Sequence, residues 1–432
     1  MELVIYIAGA LVFFGLVMAS IALHEIGHLV PGKLFNVKTT EYFIGFGRKL
    51  WSRHRGETEY GVKAVPVGGY VRLVGMFPPS KDHPGQVRAY STGPFRAIAD
   101  NARAAEWSAI RPEDEGRLFY EKPFWQKLII MASGPTMNIL LAFLILLGVS
   151  LSYGVYRSQL TISTVQECIV VANAADKSCA GKPPTPAAQS GIQPEDKIVA
   201  FNGTPVSSWD DVSRLIRSNL DHPALLTVER AGQRIELKPV NTVITGVPDR
   251  YDPSRRVAAG FFGVEPEIVR ERGGPVAVIG DMWQMTKQTA VALAYFPVKV
   301  YNTAYNLVTG KPRDVYGPMS IVGASRAAGE IASTNQIDAA AKVASLFTVL
   351  GAVNLFVALF NFVPLLPLDG GHVAAAFYEA VRRAIARLFG RPDPGPVDTA
   401  RLLPIAYVVG GLILISGVVL ILADIIDPIQ LF

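Results

Sequence analysis

The sequence is short of charge. Of its 432 residues only 18% are Asp, Glu, Lys or Arg, against 50% hydrophobic, whereas soluble domains carry about a quarter charged residues. That deficit argues against an ordinary cytosolic enzyme. Cysteine is equally scarce: Cys168 and Cys179 are the whole complement, which excludes a disulfide-stapled mini-domain. The high apolar content excludes an intrinsically disordered chain. There is no internal repeat, and no low-complexity tract beyond short Pro-rich patches at 183–186 and 392–396.

The apolar residues are concentrated. Four stretches hold no Asp, Glu, Lys or Arg: Leu3–Leu23 (21 residues), Leu128–Tyr156 (29), Val343–Leu368 (26) and Leu402–Ala423 (22). Each is long enough to cross a hydrocarbon core of about 30 Å at about 1.5 Å per residue. The first has no Lys or Arg before it and no small-residue cleavage site after it, so it reads as a retained span and not as a signal peptide.

Lys and Arg in the connections orient the spans. Residues 31–127 carry 16 Lys and Arg against 10 Asp and Glu, and the 369–401 loop carries Arg382, Arg383, Arg387, Arg391 and Arg401. Both loops are therefore expected in the cytoplasm, with both termini and the long 157–342 segment outside. The net charge of +5 reflects these flanks, and no basic stripe suggests nucleic acid. Outside the cell a Cys168–Cys179 disulfide is possible, but two free thiols fit the sequence as well.

His24-Glu25-Ile26-Gly27-His28 is an H-E-x-x-H sequence in a predicted helix. Residues four apart share a helix face, so both imidazoles can reach one zinc ion, while Glu25 can reach the attacking water as a general base. Ionisable residues inside an apolar run are costly in lipid and by default functional. Two imidazoles leave a catalytic zinc one protein ligand short. Candidates for the third are Asp369 and His372, in the run Asn361 to His372 (NFVPLLPLDGGH). The first and third spans run in the same direction and bring both motifs to one leaflet; spacing alone does not choose between Asp369 and His372.

These residues resemble the site-2 protease family of intramembrane zinc metalloproteases, in particular its RseP-like, PDZ-containing branch and the actinobacterial regulated-intramembrane-proteolysis proteases. The resemblance implies one Zn2+ per chain, held by His24, His28 and, in preference to His372, Asp369, with Glu25 catalytic. Ser133-Gly134-Pro135-Thr136-Met137-Asn138 matches a second family signature, which implies that Asn138 faces the active site as a substrate-binding or oxyanion-binding residue. Asn361 stands in the place of the family's substrate-clamping Asn, and Pro364 and Pro367 would keep the chain after it from being helical.

Gly61–Leu73 alternates around Gly68-Gly69 as a hairpin would, and Gly45-Phe46-Gly47 matches the glycine-containing stretch before it. In the family such a segment dips into the membrane beside the zinc and offers a strand edge to an unwound substrate helix, which makes Gly68 and Gly69 candidate substrate-binding residues. Residues 187–206, followed by an amphipathic helix over Ser208–Arg217, resemble a bacterial PDZ domain, with Glu195 where a Gly is usual. Strands are expected at Leu225–Arg230 and Arg234–Val240, with a closing strand near Gly260–Val264. A PDZ domain binds a C-terminus or extended strand; a steric filter is the alternative.

The expected fold is therefore a polytopic α-helical membrane protein, four transmembrane helices with a membrane-associated β-hairpin, plus one extracytoplasmic PDZ domain of α+β type. Its divisions are helix 1 with the metal motif (1–32), a cytoplasmic loop (33–127) with the hairpin at about 60–75, helix 2 (128–156) and the PDZ domain (157–267). An amphipathic connector (268–342), centred on a helix at Met282–Asn306 on the outer surface, helix 3 (343–368), a cytoplasmic loop (369–401), helix 4 (402–423) and an outer tail (424–432) follow. The 78–122 stretch reads as a mobile loop, and His54, His83 and His222 as surface residues. The expected function is zinc-dependent endopeptidase action on transmembrane segments of single-pass proteins, anti-sigma factors already cut by a site-1 protease, in the bacterial cell membrane. A PDZ scaffold or a metal-handling membrane protein is the alternative, and neither needs a Glu beside the first His.

Overall fold

The computed structural model describes residues 2–78, 110–169, 178–248 and 256–430. The chain divides into two compact units, Met1–Val149 with Pro275–Phe432, and Ser150–Gly274.

In the first unit, helix α1 (Glu2–Leu34) carries the metal motif without a break, because the apolar run before it and His24–His28 share one helical period. Two long strands follow, β1 (Thr39–Arg55) and β2 (Thr58–Leu73). Residues Glu41 to Ile44 each have two partners, one in 69–72 and one in 59–62. The two strands thus fold over one another into a four-stranded arrangement, with 41–44 inside and 69–73 on an edge. This differs from the hairpin expected around Gly68-Gly69. The reversal comes at Gly56, with φ +64°, and Gly68, with φ +92°, instead bends β2. Helix α2 (Phe124–Ser152) comes next.

The second unit contains β3 (Val155–Val165), α3 (Pro186–Ser190), β4 (Lys197–Phe201), β5 (Thr204–Pro205), α4 (Trp209–Asn219), β6 (Pro223–Ala224), β7 (Leu226–Arg230), β8 (Gln233–Glu236), β9 (Val240–Asn241), β10 (Val243–Pro248), β11 (Arg256–Phe261) and β12 (Val264–Glu271). Its main sheet runs β12-β3-β4-β7-β8. The Ser208 hydroxyl caps α4, whose Val212 and Ile216 pack with Ile162, Ile198, Val228 and Phe262 in the core. Cys168 and Cys179 form a disulfide. Glu195 adopts φ +72°, the left-handed conformation for which a Gly is the natural choice. The turn is therefore kept at a cost in strain. Relief of about 1–2 kcal/mol, less the extra entropy of a Gly in the unfolded chain, makes Glu195→Gly stabilising by about 0.5–1 kcal/mol. Slower hydrogen exchange at the β4 and β7 amides of the full chain would register it.

The first unit resumes with α5 (Pro275–Thr309), α6 (Ile321–Ser333), α7 (Ala339–Asn361), α8 (Asp369–Leu388) and α9 (Leu403–Ile426). α1, α2, α7 and a helical stretch Thr399–Ile426 are long and apolar enough to cross a membrane. The third of these ends at Asn361 and not at Leu368, since Pro364 and Pro367 hold 362–368 out of the helix. α5 is longer than the expected Met282–Asn306 and is not simply a surface element. Its Val278 and Met282 pack with Ala142 of α2 and Leu355 of α7. The Gly317–Ile321 loop is tied down by Asp424 of α9, which accepts from the Ser320 N–H and hydroxyl and from the Arg313 guanidinium. Most of the loop expected at 78–122, His83 included, lies outside the described residues.

Candidate metal centre

Three side chains from α1 and the start of α8 converge. His24 Nε2 and His28 Nε2 are 3.3 Å apart, and each is 3.3 Å from Asp369 Oδ2. Both histidines are buried. The helix explains the first two positions, four residues apart on one face. The third depends on Gly370 and Gly371. A Cβ on Gly370 would fall 2.4 Å from the Phe362 and Val363 carbonyl oxygens, and one on Gly371 would fall 2.5 Å from Leu366 N. Two bare residues thus let 362–368 fold back over the first turn of α8 and set Asp369 against α1.

The donor set fits a zinc ion. Ligands about 2.0–2.1 Å from a tetrahedral centre stand about 3.3–3.4 Å apart, which is the edge of this triangle. The His28 Nδ1 lies 2.8 Å from the Ile130 carbonyl oxygen, which can only accept, so Nδ1 carries the proton and Nε2 offers a lone pair. Asp369 Oδ2 is buried without a hydrogen-bond partner among the described residues. Lone pairs brought together with no donor between them repel unless a cation balances them.

α2 builds the back of the site with residues at 130, 134 and 138, one helical face. Ile130 supplies the carbonyl. Gly134 lies under His28, and a Cβ there would come within 2.1 Å of Nε2. Gly27 is matched to it, since a Cβ on that residue would fall 2.6 Å from the Ser133 carbonyl oxygen. Asn138 Oδ1 is 2.6 Å from His24 Nδ1.

A cavity of about 790 Å³ opens on the other side, lined by His24, Glu25, His28 and Asp369, by Gly68 to Leu73, and by Asn361 and His372. Glu25 faces the strand edge and lines the cavity together with Gly69, Tyr70 and Val71. A Cβ on Gly69 would stand 3.0 Å from Glu25 Cγ and 3.1 Å from the Phe43 carbonyl oxygen. The candidates Glu25, Gly68, Gly69 and Asn361 therefore share one cavity with the three converging side-chain atoms. Asn138 does not. Expected to meet substrate, it is 1% exposed, does not line the cavity, and has its amide engaged by His24 and Asn354. His372 lines the cavity but is not among the converging atoms, and burial pushes its imidazole down to about 4, so it is neutral at pH 7.

Asn354 was missed by sequence reasoning. The signal was present: a polar residue inside an uncharged apolar run, seven residues and thus two helical turns before Asn361.

The model of Peptidase family M50 matches residues 12–390. The chain belongs to this family. It is a membrane zinc metalloendopeptidase of the site-2 protease type, and Zn2+ is the family's cofactor. Zinc metalloprotease Rip1 of Mycobacterium tuberculosis (strain ATCC 25618 / H37Rv) is 32% identical over 455 residues, covering 99% of each chain. The putative zinc metalloprotease Atu1380 of Agrobacterium fabrum is 27% identical, covering 87% of this chain and 88% of that protein. Metalloprotease MmpA of Caulobacter vibrioides is 27% identical, covering 84% of each.

Proposed function

We propose that the chain cuts transmembrane segments of single-pass membrane proteins, with His24, His28 and Asp369 as its zinc ligands and Glu25 as general base. The 3.3 Å triangle of lone-pair atoms beside Glu25 carries this reading. Zinc held there would supply Lewis-acid polarisation of the scissile carbonyl and a lowered pKa for the attacking water. Glu25 takes the proton of that water and returns it to the leaving amine. Asn361, on the cavity wall, hydrogen-bonds the substrate main chain.

A transmembrane helix satisfies its own backbone and must unwind before attack. The 69–73 edge, beside Glu25, offers main-chain groups that replace the lost bonds. Phe46, Trp51, Val65 and Val67, about half exposed or more, suit a sheet that rests in the membrane interface.

The same reading gives a multi-pass topology in a bacterial cell membrane, with both termini and the second unit outside. A disulfide in that unit fits an oxidising compartment. The second unit acts as a PDZ domain. Its β12 pairs with β3 on one side, and the other edge suits a C-terminus or an extended segment of a substrate trimmed by a site-1 protease, an anti-sigma factor being the class the resemblance implies.

The test is zinc content alongside cleavage of a single-pass substrate in proteoliposomes. Asp369→Asn is expected to weaken zinc binding and cleavage together, by about 10-fold to 100-fold or more, while His372→Ala keeps its zinc. Zinc loss on the His372 change and not on the Asp369 change would reverse the ligand assignment.

A further inference from the structure

Behind His24 runs a chain of polar side chains that the proposed reaction does not use. His24 Nδ1 lies 2.6 Å from Asn138 Oδ1, and the Asn138 Nδ2 donates to Asn354 Oδ1 at 2.9 Å. The Asn354 Nδ2 donates to the Leu350 carbonyl oxygen at 2.9 Å and to Ser20 Oγ at 3.1 Å. The Ser20 hydroxyl in turn donates to the Leu16 carbonyl oxygen at 3.1 Å. The chain ties together α1, α2 and α7. Its members are 8% exposed or less, so bulk water does not compete for these bonds.

The direction of the chain is determined at its far end. Carbonyl oxygens only accept. Because Leu16 takes the Ser20 proton, Ser20 Oγ is left to accept, and because Leu350 also accepts, the end of the Asn354 amide facing both must be the NH2. Asn354 then presents its oxygen to Asn138. That oxygen requires the Asn138 NH2, which turns the Asn138 oxygen to His24. A ring nitrogen beside this oxygen must carry the proton, and the proton on Nδ1 leaves Nε2 with its lone pair on the side of His28 and Asp369. Each link has one arrangement in which every donor meets an acceptor.

We infer that Asn354 and Ser20 are positioning residues, which fix the tautomer of His24 through the Asn138 amide and so keep Nε2 available to a metal. The inference rests on the reading of His24 as a zinc ligand. His28 needs no such chain, since the Ile130 carbonyl faces its Nδ1 directly. The two imidazoles are thus set in the same tautomer by different means: one by a backbone oxygen, the other by a relay of two amides and a hydroxyl that ends on backbone oxygens of α1 and α7.

Asn354→Leu keeps volume and suits an apolar helix, but leaves the Asn138 NH2 without its acceptor. The Asn138 amide is then free to turn over, and its NH2 would face His24 and stabilise the tautomer with the proton on Nε2. Asn354→Asp is the conservative control. With its carboxyl protonated, the O–H donates to the Leu350 carbonyl oxygen in place of the amide and the second oxygen accepts from the Asn138 NH2, so the direction of the chain survives.

The experiment uses the full chain in detergent and reads two quantities. The first is the 15N spectrum of histidine-labelled, metal-free protein, with His24 assigned by difference from His24→Ala. The second is zinc affinity by chelator competition. In the native chain we expect His24 with its proton on Nδ1. In Asn354→Leu the Nε2–H form appears and zinc binds about 10-fold to 100-fold more weakly, whereas Asn354→Asp retains the native tautomer and most of the affinity.

A native His24 whose Nδ1 carries no proton overturns the inference, and this measurement needs no variant to fold. So does an Asn354→Asp as defective as Asn354→Leu, which would make position 354 a matter of packing alone. If His24→Ala loses zinc while Asn354→Leu keeps it, the relay fails and the ligand assignment stands. If His24→Ala binds zinc as the native chain does, the ligand assignment fails and takes the inference with it.

Discussion

Gly134→Ala, the addition of one methyl group, is expected to remove at least about 100-fold of the peptidase activity and to weaken zinc binding along with it. The Cβ would stand 2.1 Å from His28 Nε2, with the other two closest ring atoms at 2.6 and 2.7 Å. No side-chain rotation of alanine relieves such a contact. Either the His28 ring leaves its position or α2 moves away from α1, and the second movement also withdraws the Ile130 carbonyl and Asn138 from the two histidines. Displacement of a reacting constellation by about 1 Å costs about 10²-fold, and disturbed orienting bonds cost a metal site about 10-fold to 100-fold in affinity. Gly148→Ala is the control, since a Cβ there meets no atom of the described residues within 4 Å, and helix propensity makes it neutral or mildly stabilising. Zinc content and single-turnover cleavage of both variants decide the matter. A Gly134→Ala protein with native zinc affinity and native turnover would mean that α1 and α2 do not pack as described.

The same contact explains how far the sequence could be read. The four spans were legible because charge is excluded from lipid, and the H-E-x-x-H spacing put His24 and His28 on one face because the helical period is local. The end of α7 at Asn361 was half legible: Pro364 and Pro367 announced a non-helical stretch, but the uncharged run continued to Leu368 and hid where the helix stops. Gly68-Gly69 was misread as the turn of a hairpin. Alternation around two glycines looks the same whether the chain reverses or bends, and the pairing of 41–44 with two separate segments depends on contacts far along the chain. Asn138 was expected to face substrate, whereas its amide meets His24 and Asn354. Its identity is a matter of sequence, whereas the side of α2 that it occupies depends on the close approach of Gly27 to Ser133 and Gly134. Asn354 stands two turns from Asn361 and Ser20 one turn from His24, and only the meeting of three helices turns these isolated polar residues into a connected chain.

Glu25→Gln is expected to have the larger effect on chemistry with the smaller effect on structure. The amide keeps the size of the carboxylate and its place beside the strand edge, and the three proposed ligand atoms, His24 Nε2, His28 Nε2 and Asp369 Oδ2, are untouched. Zinc should therefore stay bound. What disappears is a base able to take the proton of the attacking water and give it to the leaving amine, a role worth about 10²–10⁴-fold. Both transfers pass through this one residue, so the loss belongs at the upper end of that range. Substrate capture should persist, because the 69–73 main chain and Asn361 are unchanged, and a single-pass substrate should accumulate uncut on the variant. Gly69 bears on the same point from the other side. A Cβ there would press on Glu25 Cγ, so Gly69→Ala should lower the cleavage rate while leaving zinc in place. Cleavage by Glu25→Gln at the native rate would remove Glu25 from the reaction. Loss of zinc from it, with His372→Ala unaffected, would instead place Glu25 among the ligands.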